Sequence, residues 1–110
     1  MATITPKRLG QAQLGTAAGD VYAVPASTTG VIRSITICNI DTVAHTFRLF
    51  LVPSGGASDG TTAIFFDQVI QPSQTIQDSG VHVLAAAGKV RGLADTADKV
   101  TVTVDGAEVA

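Results

Sequence analysis

The sequence is short of the residue types on which most protein chemistry depends. Its 110 residues include one cysteine, two histidines, one tyrosine and no tryptophan. Cys38 alone excludes an internal disulfide, and we expect it to be a small buried side chain in a strand. Charged residues make up 15% of the chain, against roughly 25% in an ordinary globular protein. The surface must therefore be covered by Thr, Ser, Gln, Ala and Gly, or be buried against neighbouring molecules.

Neither nucleic acid nor a membrane is expected as a partner. The formal net charge is −2, and no basic cluster exists beyond Lys7 and Arg8, so the electrostatic footprint of a nucleic-acid-binding protein is missing. No apolar run approaches the ~20 residues that cross a bilayer. The N-terminus has no apolar signal-peptide segment, so we expect synthesis and folding in a cytosol.

No combination of residues indicates catalysis or a bound cofactor. His45 and His82 fall in or beside predicted strands, and with Cys38 they would form a metal site only by accident of topology. Asp95 and Asp98 lack the alternating carboxylates of a calcium loop, so a turn or capping role is expected. We therefore expect no enzyme activity, no cofactor and no metal.

Period-two alternation of apolar and polar residues predicts strands. The stretch around which the chain is organised is 30–53, in which two alternating runs are joined by a short polar link, so we expect an antiparallel hairpin. Arg33 and Arg48 would lie on its facing arms. They could grip a partner's carboxylate, but the default expectation is that they pair with Asp41 and Asp67.

Further short strands are expected on both sides of the hairpin, separated by Gly, Pro and Asp. They cover residues 9–16, 21–24, 63–70, 75–77, 81–86, 90–93 and 99–104. About eight strands at this spacing predict one antiparallel β-sandwich. The long flexible loop 54–62 favours a non-local connection and hence a jelly-roll-like order. The alternative is an immunoglobulin-like sandwich, although its Cys…Trp…Cys pattern is absent. Residues 1–8 are expected to form an extended arm and residues 9–110 a single domain.

One set of motifs covers most of the chain. It comprises a V-P-A-x-T step, a V-I-x-S-I-x-I-C-N strand and an L-x-L-V-P-S-G-G exit, within VYAVPASTTGVIRSITICNIDTVAHTFRLFLVPSGGAS. The pattern continues through AIFFDQVI, the turn before VHVLAA, and the terminal VTVTVDGAEV. These motifs resemble small structural proteins of tailed bacteriophages and prophages.

The resemblance implies a compact, jelly-roll-like β-sandwich located in the virion and made in the bacterial cytoplasm. Its expected role is that of a capsid decoration (cement) protein, with the major capsid protein as partner; the alternative is a tail, baseplate or fibre-attachment module. Binding only the assembled head would stabilise it by linkage. We also expect self-association, with a homotrimer on a local threefold axis as the expected order.

The expected contact residues lie in the arm 2–8 and in the loop 54–62. They are Lys7, Arg8, Ser54, Gly55, Gly56 and Asp59. Lys7 and Arg8 could meet an acidic capsid surface, but both segments could equally be mobile without a partner. A third hypothesis, a carbohydrate-binding module for host attachment, is disfavoured because Tyr22 and four phenylalanines offer few exposed sugar platforms.

Overall fold

The computed structural model describes residues 3–110, and within that range every regular element is a β-strand. Met1 and Ala2, which begin the predicted arm, lie outside the described residues. In the described part of the chain there is no helix that could cross a membrane. The strands are β1 (Ile4–Gln13), β2 (Gly19–Ala23), β3 (Thr29–Asn39), β4 (His45–Val52), β5 (Ala63–Ile70), β6 (Thr75–Asp78), β7 (His82–Leu84), β8 (Lys89–Ala94) and β9 (Val100–Val109).

Two antiparallel sheets pack face to face. The first has the strand order β1-β9-β3-β6, with β7 also paired to β3, and the second has the order β2-β8-β4-β5. β6 and β7 share one edge position, because they pair with successive parts of β3. The chain therefore crosses between the sheets at every step except from β4 to β5 and from β6 to β7.

This strand order is that of a jelly roll, so the predicted sandwich class and topology are confirmed. In an immunoglobulin sandwich several consecutive strands pair within one sheet. The loop 54–62 joins β4 to β5, which are paired neighbours, so the non-local connection expected across this loop is wrong. Among residues 3–110, these two are the only consecutive strands that pair with each other. The immunoglobulin-like alternative is therefore wrong.

The predicted central hairpin is also wrong. β3 pairs with β9, β6 and β7, whereas β4 pairs with β5 and β8, so residues 40–44 carry the chain from one sheet to the other. Both strands are central in their own sheets, and each turns one apolar face inward. Ile35 and Ile37 of β3 and Phe47 and Leu49 of β4 belong to one buried core between the sheets. Period-two alternation is the same whether two successive strands pair as a hairpin or lie in two facing sheets, so the sequence pattern could not distinguish these arrangements.

A β-bulge at Arg33 changes which side chains of β3 face the core. Ile32 pairs with Gly106 and Ser34 with Asp105, so Arg33 has no partner residue on β9. The inward side therefore changes phase, and Ile32 is fully buried while Val31 is half-buried on the outer side. Val31 and Ile35 therefore project from opposite sides of the sheet, although strict period-two alternation would place both on one side.

A second bulge lies on the other side of β9. Arg8 pairs with Asp105 and Gly10 with Val104, which leaves Leu9 as the extra residue of β1. The two bulges flank β9 at the same level. They divide the outer surface of the first sheet into two halves.

The predicted boundary between the arm and the domain lies within β1, next to the bulge at Leu9. Residues 4–8 pair with β9 from Val109 to Asp105, and Thr3 and Ala110 exchange two backbone hydrogen bonds of 2.6 and 2.9 Å. The expected boundary at residue 8 thus falls inside a strand. The described part of the arm is the first half of β1.

Candidate interaction surfaces

The described residues expose several large apolar side chains, most of them on two separate surfaces. No pocket opens among residues 3–110, so these surfaces are the candidate functional sites. Seven large hydrophobic side chains are 45–67% exposed: Ile4, Ile40, Val43, Phe66, Val69, Val81 and Val83. We call the solvent side of the sheet β1-β9-β3-β6/β7 the outer face. The second surface, Ile40, Val43, Phe66 and Val69, we call the β5 surface.

The half of the outer face beyond the bulges is apolar. Residues directly opposite on antiparallel strands project from the same side of a sheet. The register therefore places Pro6, Ala107, Val31 and Val83 in one row across four strands. The next row contains Ile4, Val109 and Thr29. Because Ile32 and Gly30 beside them are buried, these rows point to solvent.

The other half of the outer face is polar but carries no charged residue. Its two rows, again read from the register, are Gln11–Thr103–Thr36–Gln77 and Gln13–Thr101–Cys38–Thr75. Gln11 donates to the Thr103 hydroxyl over 2.8 Å, and Gln77 donates to Ser34 over 3.1 Å. Cys38 is half-buried in this polar half of the outer face, so the expectation that its side chain is buried is wrong.

Between the halves lies a single charged row at the level of the bulges. Arg8, Asp105 and Ser34 are neighbours in register, and the bulged Arg33 is exposed beside them. Arg8 donates to the Gln11 side chain over 3.1 Å. Among the residues that the structure describes, neither Arg33 nor Asp105 has an ion-pair partner. Two opposite charges are thus left unmatched at the centre of a largely uncharged face.

The β5 surface is assembled by a buried asparagine. Asn39 is fully buried at the end of β3, and its side-chain amide donates to the carbonyls of Val43, Ile70 and Gln71 over 2.9–3.2 Å. These bonds hold the 40–44 loop against the end of β5. As a result, Val43 lies close to the end of the strand that carries Phe66 and Val69.

Phe66 is held by an arginine on the neighbouring strand. The Arg48 guanidinium lies 4.0 Å from the centre of the Phe66 ring and bonds both carboxylate oxygens of Asp67, at 2.6 and 3.1 Å. The hydrogen bond from Arg48 lowers the pKa of Asp67. Asp67 has a positive φ of 53° and lies at an irregularity in the β4–β5 pairing. The expected Arg48–Asp67 ion pair is confirmed.

His45 joins the loops at the same end of the sandwich. The ring is 6% exposed, with Nδ1 2.7 Å from an Asp95 oxygen and Nε2 2.8 Å from an Asp41 oxygen. Both nitrogens can donate only in the protonated ring. The pKa of His45 is raised, chiefly by the hydrogen bond to Asp41, and the same bond lowers the pKa of Asp41.

The sequence did not predict that His45 would bond both Asp41 and Asp95. Asp41 was expected to pair with an arginine and Asp95 to act in a turn, whereas both carboxylates bond His45. The four-residue spacing of Asp41 and His45 was the only available signal. His82 bonds Asp78 at 3.0 Å. Among residues 3–110 there is no group of three or more His, Cys, Asp or Glu that could hold a metal ion.

Of the predicted contact residues, Lys7 and Arg8 lie on the edge strand β1. Lys7 forms an ion pair of 3.1 Å with Glu108, which also accepts a 2.8 Å hydrogen bond from the Tyr22 hydroxyl. Hydrogen bonds from Tyr22 and Lys7 lower the pKa of Glu108, and burial and the bond to Glu108 raise the pKa of Tyr22. Lys7 is therefore engaged within the chain, while Arg8 takes part in the outer face.

The other predicted contact residues lie in the loop between β4 and β5. Gly55 has a φ of 75° in a turn closed by the Gly56 amide on the Pro53 carbonyl. Asp59 caps the end of the loop by accepting from the Thr61 amide at 2.9 Å. Ser58 accepts from Arg91 over 3.3 Å, which places the loop over the solvent side of the second sheet. Ser54, Gly55, Gly56 and Asp59 are exposed, and within the described part no hydrogen bond or ion pair joins their side chains to those of Lys7 or Arg8.

Comparison with known proteins shows similarity of fold only. No protein-family profile and no curated protein matches the chain. A chain in the structure of infectious bursal disease virus, Gx strain, is similar with a TM-score of 0.51 and 8% identity, over 99% of this chain and 32% of that one. This chain thus spans about a third of that neighbour. A chain from Bacillus endospore appendages, described as disulfide-linked pili, reaches a TM-score of 0.43 at 16% identity, over 96% and 90% of the two chains. At that TM-score the second likeness supports no conclusion.

Proposed function

We propose that the chain is a virion structural protein, and specifically a capsid decoration protein of a tailed bacteriophage. The observation that carries this proposal is the presence of two separate apolar surfaces, one on each sheet of the jelly roll. A subunit buries both only in an assembly that gives it at least two contacts. The fold shared with a chain of a virus supports a virion role, and the sequence motifs resemble phage structural proteins.

The β5 surface is the proposed contact with the major capsid protein. It presents an aromatic ring and an arginine together, the side chains that most often dominate the energy of protein interfaces. Arg48 is already held by Asp67, and the loop carrying Val43 is held by Asn39. Little side-chain freedom would therefore be lost on binding, which favours affinity.

The proposed mechanism is stabilisation by linkage rather than chemistry. If the β5 surface binds across neighbouring capsid subunits, binding takes place only after assembly, and each bound copy shifts the equilibrium toward the assembled head. Many identical copies would add their individually weak contributions. We propose the virion as the location, with synthesis in the host bacterial cytoplasm.

Particles that lack this chain provide the test. Purified wild-type protein should restore the heat resistance of such heads and co-sediment with them. The double variant Phe66→Ser/Val69→Ser should co-sediment at least about tenfold more weakly, because it removes the apolar centre of the contact. Val81→Ser is the matched control, since Val81 is 58% exposed but lies in the link between β6 and β7.

Equal binding by the double variant and the control would exclude the β5 surface as the capsid contact. Failure of the wild-type protein to bind heads, with binding to purified tails instead, would replace decoration by a tail or baseplate role.

A further inference from the structure

We infer that a second copy of this chain covers the outer face, related by a twofold axis that runs parallel to the strands between β9 and β3. This contact goes beyond the proposed capsid binding and does not depend on it. The two contacts would use different sheets, so one copy could make both. The inference rests on the chemical match between each row of the outer face and the same row of a second copy, taken in reversed order.

A twofold axis in this direction places each row against the same row of the partner, in reversed order. The apolar rows then face apolar rows, with Pro6 opposite Val83 and Ala107 opposite Val31 of the other copy. The polar row Gln11–Thr103–Thr36–Gln77 meets itself with glutamine opposite glutamine and threonine opposite threonine. An axis across the strands would instead set apolar rows against polar ones.

Two of the three charged residues in the charged row, Arg33 and Asp105, also match about this axis, while Arg8 comes to lie opposite the link between β6 and β7 of the other copy. Asp105 on β9 would face β3 of the other copy at the level of Ser34 and Arg33. Each of these two charges lacks an ion-pair partner within its own chain, among the described residues. The twofold arrangement therefore forms two Asp105–Arg33 pairs and leaves no like charges opposed. Complementary charges of this kind fix the register of an interface.

The size of the face sets the expected strength. From Thr101 to Val109 it runs about 27 Å along β9, and the four strands span about 14 Å between the outermost axes. The product of these two dimensions is smaller than the roughly 800 Å² that each partner buries in a standard interface. We therefore expect a micromolar dimer built by aligned sheet-on-sheet packing.

Analytical ultracentrifugation of the purified chain over a concentration series tests the contact. The wild-type protein should move from monomer to dimer. Arg33→Asp and Asp105→Arg should each raise the dissociation constant more than about tenfold, because each opposes like charges. The double variant Arg33→Asp/Asp105→Arg should regain the dimer, which a merely unfolded variant would not do. Gln68→Arg, on β5 of the other sheet, is the control for an added charge.

A second pair of variants avoids the bulges. Val83→Glu places a charge opposite Pro6 of the partner and should abolish the dimer, whereas Val69→Glu on the other sheet should leave it intact. A monomer at every concentration, a trimer of the order expected from the sequence, or an unchanged dimer in Val83→Glu would each overturn the inference. None of these results depends on capsid binding, which is measured on particles.

Discussion

At the scale of single residues, His45 links two loops that are far apart in sequence. Its ring nitrogens hold Asp41 of the 40–44 loop and Asp95 of the 95–99 loop, and Lys99 adds a favourable charge for Asp41. The protonated ring is the form that satisfies both carboxylates. Its protonation therefore affects the loop that carries Ile40 and Val43 of the β5 surface.

The free energy of unfolding should depend on the charge of this ring. Because the pKa of His45 is raised in the folded chain, its contribution is complete below its unfolded value of about 6.5. The contribution is then lost as pH rises through the folded-state pKa. The lowered pKa of Asp41 acts at the other limit, where its contribution is lost as pH falls through that pKa.

Urea denaturation over a series of pH values, with the His45 ring followed by NMR, measures this dependence. Asp41→Asn should lower the pKa of His45 and reduce the loss of stability above about pH 6.5. Asp98→Asn removes a neighbouring exposed carboxylate and should leave the dependence unchanged. A His45 ring that titrates at or below about 6.5 in the wild-type chain contradicts this account.

Asn39 offers a second prediction at the residue scale. Asn39→Ala removes the donor to three backbone carbonyls at a fully buried position. We expect a loss of about 1–3 kcal/mol in the free energy of unfolding, since buried polar groups are left without partners. Chemical denaturation measures the change, with Gln68→Ala as a control because that side chain is exposed. Equal stability of the two variants would show that Asn39 does not hold the loop.

At the scale of elements, strand positions could be predicted from the sequence, but strand pairing could not. The 63–70 strand lies where alternation and Pro72 placed it, and the Arg48–Asp67 pair follows from two charges in apolar strands. The partners of β3 could not be found, because nothing local distinguishes a hairpin from a crossover. The bulges at Leu9 and Arg33 were missed since neither position contains the glycine or proline that marks irregular strands.

Gly106 tests the importance of these bulges. A methyl group there would overlap the carbonyl oxygen of Val31 across the β3–β9 ladder. Backbone atoms cannot rotate aside as a flexible side chain does, so Gly106→Ala should destabilise the chain by about 1–3 kcal/mol. Gly60→Ala should be nearly neutral, because the added methyl group would have no heavy atom within 4 Å other than those of its chain neighbours. Thermal and chemical unfolding compare the two, and equal stabilities would contradict the close approach at the bulge.

At the scale of the whole molecule, low charge and the jelly-roll fold have a common consequence. With 15% charged residues, the chain cannot cover both sheets with charge, and most of its exposed large apolar side chains lie on the outer face and the β5 surface. The sequence alone left two possibilities for such a surface, cover by small or uncharged polar residues and burial against neighbouring molecules. It could not place the surface, because the rows of the outer face exist only once β1, β3 and β9 are paired. The six predicted contact residues therefore include only one, Arg8, that lies in either surface.

The most direct test of the central claim is quantitative mass spectrometry of purified, DNA-filled particles of the phage that is proposed to encode this chain. A decoration protein repeats over the symmetric shell. We therefore predict a copy number within a few-fold of that of the major capsid protein. A copy number equal to that of tail or baseplate proteins would contradict decoration and place the chain in the tail. Absence from the particles would contradict a structural role in the virion altogether.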